Sequence, residues 1–296
     1  MITKEQIAIG NYHYVGYSFD TFLKSMENLG IQKIELWGAK PHLCVEDGDP
    51  VFVKEIKKKL DSKGLQTICF CPEQNTYAIN ISCDNILLRK RSIQYLKKAI
   101  QITGALGCPR MLLCPGTGYY NEDQESVWER CRASIGELLE TARDNRVQLL
   151  LETQAFEESN IINTVMQQKK MIKEINHPNL QAMIDTVQMG IFDDTLKHNM
   201  QILGDSMQHI HLGNTLLREK TWNESLDKGM DQGRNAVGHI GFGDGNLPLE
   251  RYFKELSEYK YEGYLTIEIC QSLYFREPEK YSKEALDIVN YILKGI

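Results

Sequence analysis

Four apolar runs in the second half of the chain each end on a side chain that can bind a metal ion. They read LLLE up to Glu152, MID up to Asp185, HIH up to His211 and TIE up to Glu268. Three carboxylates and one imidazole form a mainly oxygen donor set, which suits Mn²⁺, Mg²⁺ or Co²⁺ better than Zn²⁺. Buried carboxylates that converged without a cation would repel one another strongly. We therefore predict that these residues bind one divalent metal ion, with Mn²⁺ as the first candidate, in a catalytic site.

A second histidine in the run HIH, His209, is the alternative to His211 as a ligand. We expect only one of the two imidazoles to point into the interior, with the other in a structural role. From this run alone, the choice between them stays open.

The four runs belong to a longer pattern of about eight short apolar segments, each followed by an amphipathic stretch. Runs such as MLLC, LLLE and LTIEI are almost continuously apolar, as expected for parallel strands buried on both faces. Eight alternating strands and helices favour a closed (β/α)8 TIM barrel over an open sheet, in the α/β class. We therefore predict a single domain over residues 1–296. The predicted strands are 7–9, 33–37, 66–70, 110–114, 148–152, 181–185, 209–212 and 264–269.

Helical segments are predicted between these strands from apolar residues spaced three and four apart. Gly30 and Gly64 each follow such a segment and are suited to end a helix. The predicted helices are 20–29, one that closes over 61–64, 85–106, 126–144, 161–175, 194–203, 249–259 and 283–293.

One segment departs from this alternation. Residues 214–247, after the seventh predicted strand, are polar and rich in glycine, with no clear period. A loop this long in a compact domain is usually functional or disordered. Because TIM-barrel active sites lie at the carboxyl ends of the strands, we expect this insertion to lie over the barrel mouth.

Composition narrows the classes of partner. The chain has 296 residues, a formal net charge of −6 and 42% hydrophobic residues, which is typical of a globular protein. The acidic balance argues against a nucleic-acid partner, and no apolar run approaches the roughly 18 residues of a membrane span. Eight cysteines at irregular spacing form no disulfide framework, so a cytoplasmic location is expected. Assembly into a homo-oligomer is left open.

The motifs together resemble the xylose isomerase-like sugar isomerases and epimerases along essentially the whole chain. The similar segments are IELWGAKPH, LLETQAFEESN, MIDTVQMG, HIHLGN, GFGDGNLP and YEGYLTIEI. Within that family the chain is similar to ketose 3-epimerases of the tagatose, psicose and fructoselysine types. The segments that indicate this subgroup are IELWGAKPH, PEQNTYAIN, the residues ESN at 158–160 and YFREPEKYSKEAL.

The resemblance implies a reaction and assigns roles. It selects His211 over His209, so that the metal ligands are Glu152, Asp185, His211 and Glu268. It also implies that Glu152 and Glu268 act as acid and base on opposite faces of a ketose or a fructoselysine-like derivative. Proton removal at C3 would give a cis-enediolate, and proton return to the other face would invert C3.

Further residues are expected to bind the sugar. The resemblance places Glu158 near the reacting carbons, and Gln188 replaces a histidine of the tagatose-type motif. Arg218 is the candidate for an expected arginine, and the acid that often follows HIHLG is replaced by Asn214. The wall of the pocket is predicted to include three residues that follow the second and third strands, namely Trp37, His42 and Glu73.

Several alternatives remain at this point. Aldose–ketose isomerisation or dehydration of a keto-inositol would use the same metal site. A metal-dependent abasic-site endonuclease shares the barrel but needs several zinc ions, many histidines and a basic DNA groove. A non-catalytic sugar-binding barrel would bind the ligand without turnover.

Overall fold

A closed parallel barrel forms the centre of the molecule. The computed structural model describes residues 1–192, 194–217 and 238–296. Eight strands follow one another around the barrel in chain order, and β8 pairs with β1 to close it. The predicted (β/α)8 barrel is therefore confirmed. The strands are β1 (Ile7–Gly10), β2 (Lys33–Gly38), β3 (Gln66–Pro72), β4 (Arg110–Leu113), β5 (Gln148–Leu151), β6 (Leu180–Asp185), β7 (Met207–Leu212) and β8 (Tyr264–Ile267).

Helices connect the strands, and the first two begin or end at residues that favour helix termini. Gly30 has a left-handed backbone (φ 69°) and ends the first helix as predicted, because glycine adopts this conformation without steric cost. Asp49 accepts hydrogen bonds from the first turn of the second helix, where Pro50 takes the first position. The helices are α1 (Phe19–Leu29), α2 (Pro50–Ser62), α3 (Ile86–Ala105), α4 (Gln124–Asp144), α5 (Val165–Ile175), α6 (Thr186–Ile191), α7 (Leu196–Leu203), α8 (Leu249–Tyr259) and α9 (Pro278–Gly295).

Three helices depart clearly from the prediction. Helix α5 begins at Val165, four residues after the predicted start at 161, because Thr164 caps its first turn. The last helix begins at Pro278, ahead of the predicted residue 283, because a proline is favoured at the first helical position. The short helix α6 was not predicted. It has six residues and begins directly after β6, so it is too short to show a helical period.

Successive side chains of each strand point alternately outward and inward, which divides the core into two parts. Ile7 and Ile9 pack in the large cluster that joins the barrel to the helices, whereas Ala8 belongs to a separate, smaller cluster. The same division separates Leu149 and Leu151 from Leu150. Successive side chains of a strand point to opposite faces, so the small cluster fills the barrel interior.

The insertion after β7 begins and ends against the barrel. Asn214 and Ile240 form an isolated antiparallel bridge. The Asn214 amide donates to the carbonyl of Phe242 and accepts from the backbone N–H of Leu247. Asn214 is thus a structural residue that fixes the returning chain, and residues 218–237 lie outside the described part.

Two further features concern the thiols and the helices. All eight cysteines fall in the described ranges, and each is a free thiol.

Among the described helices, none combines the length and the apolar character that a membrane span requires.

Candidate active site

The barrel interior receives the four predicted metal ligands. Leu265 and Ile267 of β8 pack outward against the helices, so Thr266 and Glu268 point inward. By the same alternation, Glu152 follows the inward-pointing Leu150, and Asp185 follows the inward-pointing Met183. Each of the four side chains is buried, and all lie at the carboxyl ends of consecutive strands.

The expectation that only one of His209 and His211 points inward is wrong. Residues two apart on a strand share a face, and both imidazoles point into the barrel. Their Nε2 atoms lie 2.7 Å from the two carboxylate oxygens of one residue, Glu35 on β2. Glu35 is fully buried and also accepts a hydrogen bond of 2.7 Å from the Tyr12 hydroxyl. Sequence reasoning missed Glu35, although the alternation of IELW places it opposite the outward-pointing Ile34 and Leu36.

The two histidines differ in depth along β7. His209 lies deeper, and its Nδ1 is buried with no hydrogen-bond partner in the described residues. His211 lies nearer the carboxyl end, where its Nδ1 is 2.7 Å from Glu268 Oε2 and 3.7 Å from Glu152 Oε1. His211 is therefore held at Nε2 by Glu35 and presents Nδ1 to the carboxylates.

Asp185 uses its two oxygens differently. Oδ1 accepts from the backbone N–H groups of Val187 and Gln188 and so caps helix α6. Oδ2 lies 2.7 Å from Nε2 of His239. This arrangement fixes the carboxylate plane and leaves Oδ2 directed at the site.

His239 was not predicted. It lies at the returning end of the insertion, where the sequence GHIGFGDG has no strand or helix period that would indicate its direction. Its Nε2 also lies 3.5 Å from Glu268 Oε2. A histidine within a glycine-rich loop expected over the barrel mouth was the only signal available.

Burial and neighbouring charges shift the pKa values of the two candidate acid–base residues, Glu152 and Glu268, in opposite directions. Burial raises the pKa of Glu152 well above its usual value, and Asp185 and Glu268 add to the increase. Burial also opposes ionisation of Glu268, but the positive charges of His211 and His239 outweigh it and lower the pKa of Glu268 to about 2. Burial and neighbouring charges thus shift the pKa values of the two carboxyl groups in opposite directions, a separation typical of acid–base pairs.

The donor atoms fit a divalent metal ion. Donor atoms of Glu152, Asp185 and His211 all lie within 4.8 Å of one another, and His239, Glu268 and Cys270 form a second such group. Glu268 Oε2 is buried and lies 2.7 Å from His211 Nδ1, but at an angle that makes no hydrogen bond among the described residues. Three buried carboxylates with such an atom are a suitable site for a dication, which would neutralise their mutual repulsion.

A cavity of about 300 Å³ opens beside these donors. The cavity lining includes four of the residues predicted to bind substrate, namely Trp37, Glu73, Glu158 and Gln188. The indole N–H of Trp37 donates to Glu73 Oε2 over 2.9 Å, which fixes the wall formed by these two residues.

Gln188 and Glu158 form a pair across the cavity. The Gln188 amide nitrogen donates to Glu158 Oε2 over 2.8 Å. This bond fixes the orientation of the amide, and Gln188 Oε1 is left buried without a hydrogen-bond partner among the described residues. Asn75 donates to the other oxygen of Glu158. The free carbonyl oxygen can accept a hydrogen bond from a sugar hydroxyl.

One predicted substrate residue, His42, does not line the cavity. His42 is buried beneath it, where Nδ1 contacts the Asn11 amide at 2.7 Å and Nε2 contacts the Tyr17 carbonyl. Asn11 in turn accepts from the backbone N–H of Trp37, so His42 supports the wall from behind. Arg218 lies outside the described residues.

A smaller cavity of about 190 Å³ adjoins the first. The two share Gln74, Asn75, Cys114 and Glu158, and the smaller one extends past Glu157 and other polar residues. The site therefore has room for a group larger than the part bound at the metal donors.

Comparisons with known proteins agree with this architecture. The model of the xylose isomerase-like TIM barrel family matches residues 23–292, so the chain belongs to that family. A fructoselysine 3-epimerase from Shigella flexneri is 24% identical over 264 residues, which cover 89% of both chains. The predicted family resemblance is thus confirmed.

Solved structures share the fold. The D-psicose 3-epimerase of Clostridium cellulolyticum H10, studied with D-tagatose, aligns with a TM-score of 0.74 at 17% identity, over 97% of this chain and 99% of that one. A 3-keto-D-glucoside 4-epimerase from E. coli aligns equally well, with a TM-score of 0.74 at 15% identity over 98% and 99%. At this level of identity the similarity establishes the barrel fold but does not identify the carbon atom that reacts.

Proposed function

We propose that the protein is a divalent-metal-dependent epimerase that inverts C3 of a ketose or of a substituted ketose. The observation that supports this most directly is the pair Glu152 and Glu268, two buried carboxyls that lie at the ends of β5 and β8 and line one cavity. Inversion at a carbon next to a carbonyl needs one group to remove a proton and another to return one on the opposite face. The relative from Shigella flexneri, a fructoselysine 3-epimerase, supports a sugar substrate and the C3 position.

The metal ion would be bound by Glu152, Asp185, His211 and Glu268. Its contribution would be to polarise the C2 carbonyl as a Lewis acid, and we propose Mn²⁺ as the ion that suits this donor set. Asp185 is oriented by its cap of helix α6, and His211 is oriented by Glu35. A hydrogen bond from Gln154 to Glu152 Oε2 holds that carboxyl in place.

Proton transfer uses both carboxyl groups. One of Glu152 and Glu268 removes the C3 proton, the electron pair of the C–H bond forms a C2–C3 double bond, and the electron pair of the carbonyl moves onto its oxygen to give an enediolate. The other carboxyl group, in its protonated form, returns a proton to the opposite face of C3. The carbonyl re-forms and C3 is inverted. In the reverse direction the two residues exchange roles, since their charges have exchanged.

The remaining cavity residues bind the sugar. Gln188 Oε1 accepts from a hydroxyl, while Glu158 and the indole of Trp37 bound the space beside it. We propose that the adjoining polar cavity accommodates a substituent on the ketose, such as an amine-linked group. Asn75, Asn80, Thr117 and Glu157 would contact that substituent.

The test combines carboxyl variants with deuterium incorporation. Glu152→Gln and Glu268→Gln should each lower the rate of C3 inversion by about 100- to 10,000-fold, the usual contribution of general acid–base catalysis. Glu262→Gln changes an exposed glutamate before β8 and is the matched control. In D2O the wild-type enzyme with Mn²⁺ should place deuterium at C3 of the product. Normal turnover in either active-site variant would contradict the two-residue scheme.

A substrate panel distinguishes the alternatives. It should contain unsubstituted ketoses, ketoses linked to an amine at C1, and keto-inositols. Deuterium at C1 or C2 with formation of an aldose would indicate an isomerase, and loss of water would indicate a dehydratase. Binding of a panel member without any turnover would favour a non-catalytic barrel.

A further inference from the structure

We propose that His239 is a fifth protein ligand of the divalent metal ion, supplied by the insertion rather than by a strand of the barrel. The inference rests on the metal site of the proposed function. It goes beyond the four strand-end residues because it adds a second imidazole to the donor set.

The position of Nε2 supports direct coordination. It lies 2.7 Å from Asp185 Oδ2 and 3.5 Å from Glu268 Oε2. Around a six-coordinate ion with bonds of about 2.1 Å, neighbouring donors are about 3.0 Å apart and opposite donors about 4.2 Å. Both distances are shorter than the separation of opposite donors, so His239 Nε2 can share one coordination sphere with Asp185 and Glu268. The spacing of His211 Nδ1 from Glu268 and Glu152, 2.7 and 3.7 Å, is of the same kind.

The backbone around His239 is fixed by the barrel. The His239 carbonyl accepts from the N–H groups of Cys270 and Gln271, which follow Glu268 directly. On the next residue, the N–H of Ile240 donates to the carbonyl of Asn214. The loop end is thereby fastened to the chain on both sides, after β7 and after β8, and the imidazole reaches the site from a defined position.

Gly213 leaves space for the imidazole ring of His239. A side chain on Gly213 would place its Cβ 2.7 Å from Cδ2 of His239 and 2.8 Å from Val187. The glycine of HIHLG thus leaves room for the imidazole above the end of β7. The His239 side chain is 15% exposed, so it fills the side of the site that faces the insertion.

Five protein donors have a consequence for the substrate. A six-coordinate ion would keep one position free, which is sufficient for the C2 carbonyl oxygen of a ketose. A mixed set of three carboxylates and two imidazoles also shifts the preference toward Mn²⁺ or Co²⁺ and away from Mg²⁺, since Mg²⁺ is bound mainly through oxygen.

The experiment counts metal-bound nitrogen atoms. Full-length protein is loaded with Mn²⁺ in the absence of sugar, and pulsed electron paramagnetic resonance on samples with ¹⁴N- and ¹⁵N-labelled histidine detects directly coordinated imidazoles. Two are expected in the wild type, and one each in His239→Ala and His211→Ala. His198→Ala is the matched control, because His198 pairs with Asp194 at 2.7 Å on the surface. It should keep both couplings.

Affinity provides a second measurement. Calorimetric titration with Mn²⁺ should show binding weakened by about tenfold or more in His239→Ala, at least the loss typical when a partner of a ligand is removed. His239→Gln serves if the alanine variant does not fold. A single imidazole in the wild type, or two in a folded His239 variant, would overturn the inference while leaving the proposed function intact. Absence of Mn²⁺ binding by the wild type would instead contradict the proposed function.

Discussion

Glu35 holds the imidazole of His211 from below, and its replacement tests whether this contact sets metal affinity. The carboxylate is fully buried and accepts hydrogen bonds of 2.7 Å from Tyr12, His209 and His211. Burial opposes its ionisation, but the interactions with His211 and His209 outweigh it and hold the pKa of Glu35 well below the usual value. Glu35→Gln keeps the shape and removes the charge.

The size of the effect follows from the geometry at His211. Nε2 faces Glu35 and Nδ1 faces the metal donors, which is the arrangement in which an outer carboxylate fixes the ring and makes it a stronger ligand. Loss of such a partner typically costs 10- to 100-fold in metal affinity, or about 1.4–2.7 kcal/mol. The glutamine carbonyl oxygen can still accept from Tyr12 and His211. His209 can move its proton to the unpartnered Nδ1, so that its Nε2 accepts from the new amide N–H. We therefore expect the variant to fold.

The assay is calorimetric titration of metal-free protein with Mn²⁺. Tyr12→Phe is the matched control, since it removes a hydrogen bond to the same carboxylate oxygen but leaves the charge in place. Its Kd should stay within about threefold of the wild-type value, whereas that of Glu35→Gln should rise 10- to 100-fold. A folded Glu35→Gln variant with wild-type affinity would refute the proposed support of His211 by Glu35.

Two further predictions concern the cavity and the buried histidine beside β1. Gln188→Leu should raise the KM for the ketose by roughly five- to tenfold, the worth of about one hydrogen bond, without changing the Kd for Mn²⁺; an unchanged KM would show that Oε1 does not contact the sugar. Burial lowers the pKa of His13 from 6.5 to about 3, so the unfolded chain binds the extra proton first as the solution is acidified. The contribution of the neutral His13 ring to the free energy of unfolding is therefore fully present above about pH 6.5. Below that pH it decreases by about 1.4 kcal/mol per pH unit until about pH 3. Urea unfolding of wild type and His13→Gln between pH 7 and 5 should therefore show the wild type losing more stability, and parallel curves would contradict this.

The barrel and the strand-end donors could be predicted because they depend on local patterns. Continuous apolar runs indicate buried parallel strands, and the last polar residue of such a run must lie at the carboxyl end of the barrel. Glu152, Asp185 and Glu268 follow from this rule alone. Their common depth requires only that the strands be in register, as the pairing of Asp185 with His211 shows.

The remaining contacts depend on the closure of the barrel. Glu35 lies on β2 and reaches His209 and His211 on β7 across the interior, and no spacing in the sequence relates these positions. His239 depends on a loop whose direction is set by its hydrogen bonds to residues after β7 and β8. Such contacts between distant segments become visible only when the strands are arranged around one axis.

The wrong prediction for His209 shows that the position of a histidine along β7, and not its residue type, determines its role. Residues two apart share a face, so the choice between His209 and His211 is one of depth and not of direction. The deeper His209 contacts Glu35 through Nε2, and its buried Nδ1 has no hydrogen-bond partner among the described residues. His211 instead reaches the level of Glu268 and Glu152. A strand of this barrel runs toward its active end, so the later of two inward histidines is the one at the metal donors. The earlier one is then available to share the supporting carboxylate, which explains why Glu35 is buried between two imidazoles rather than beneath one.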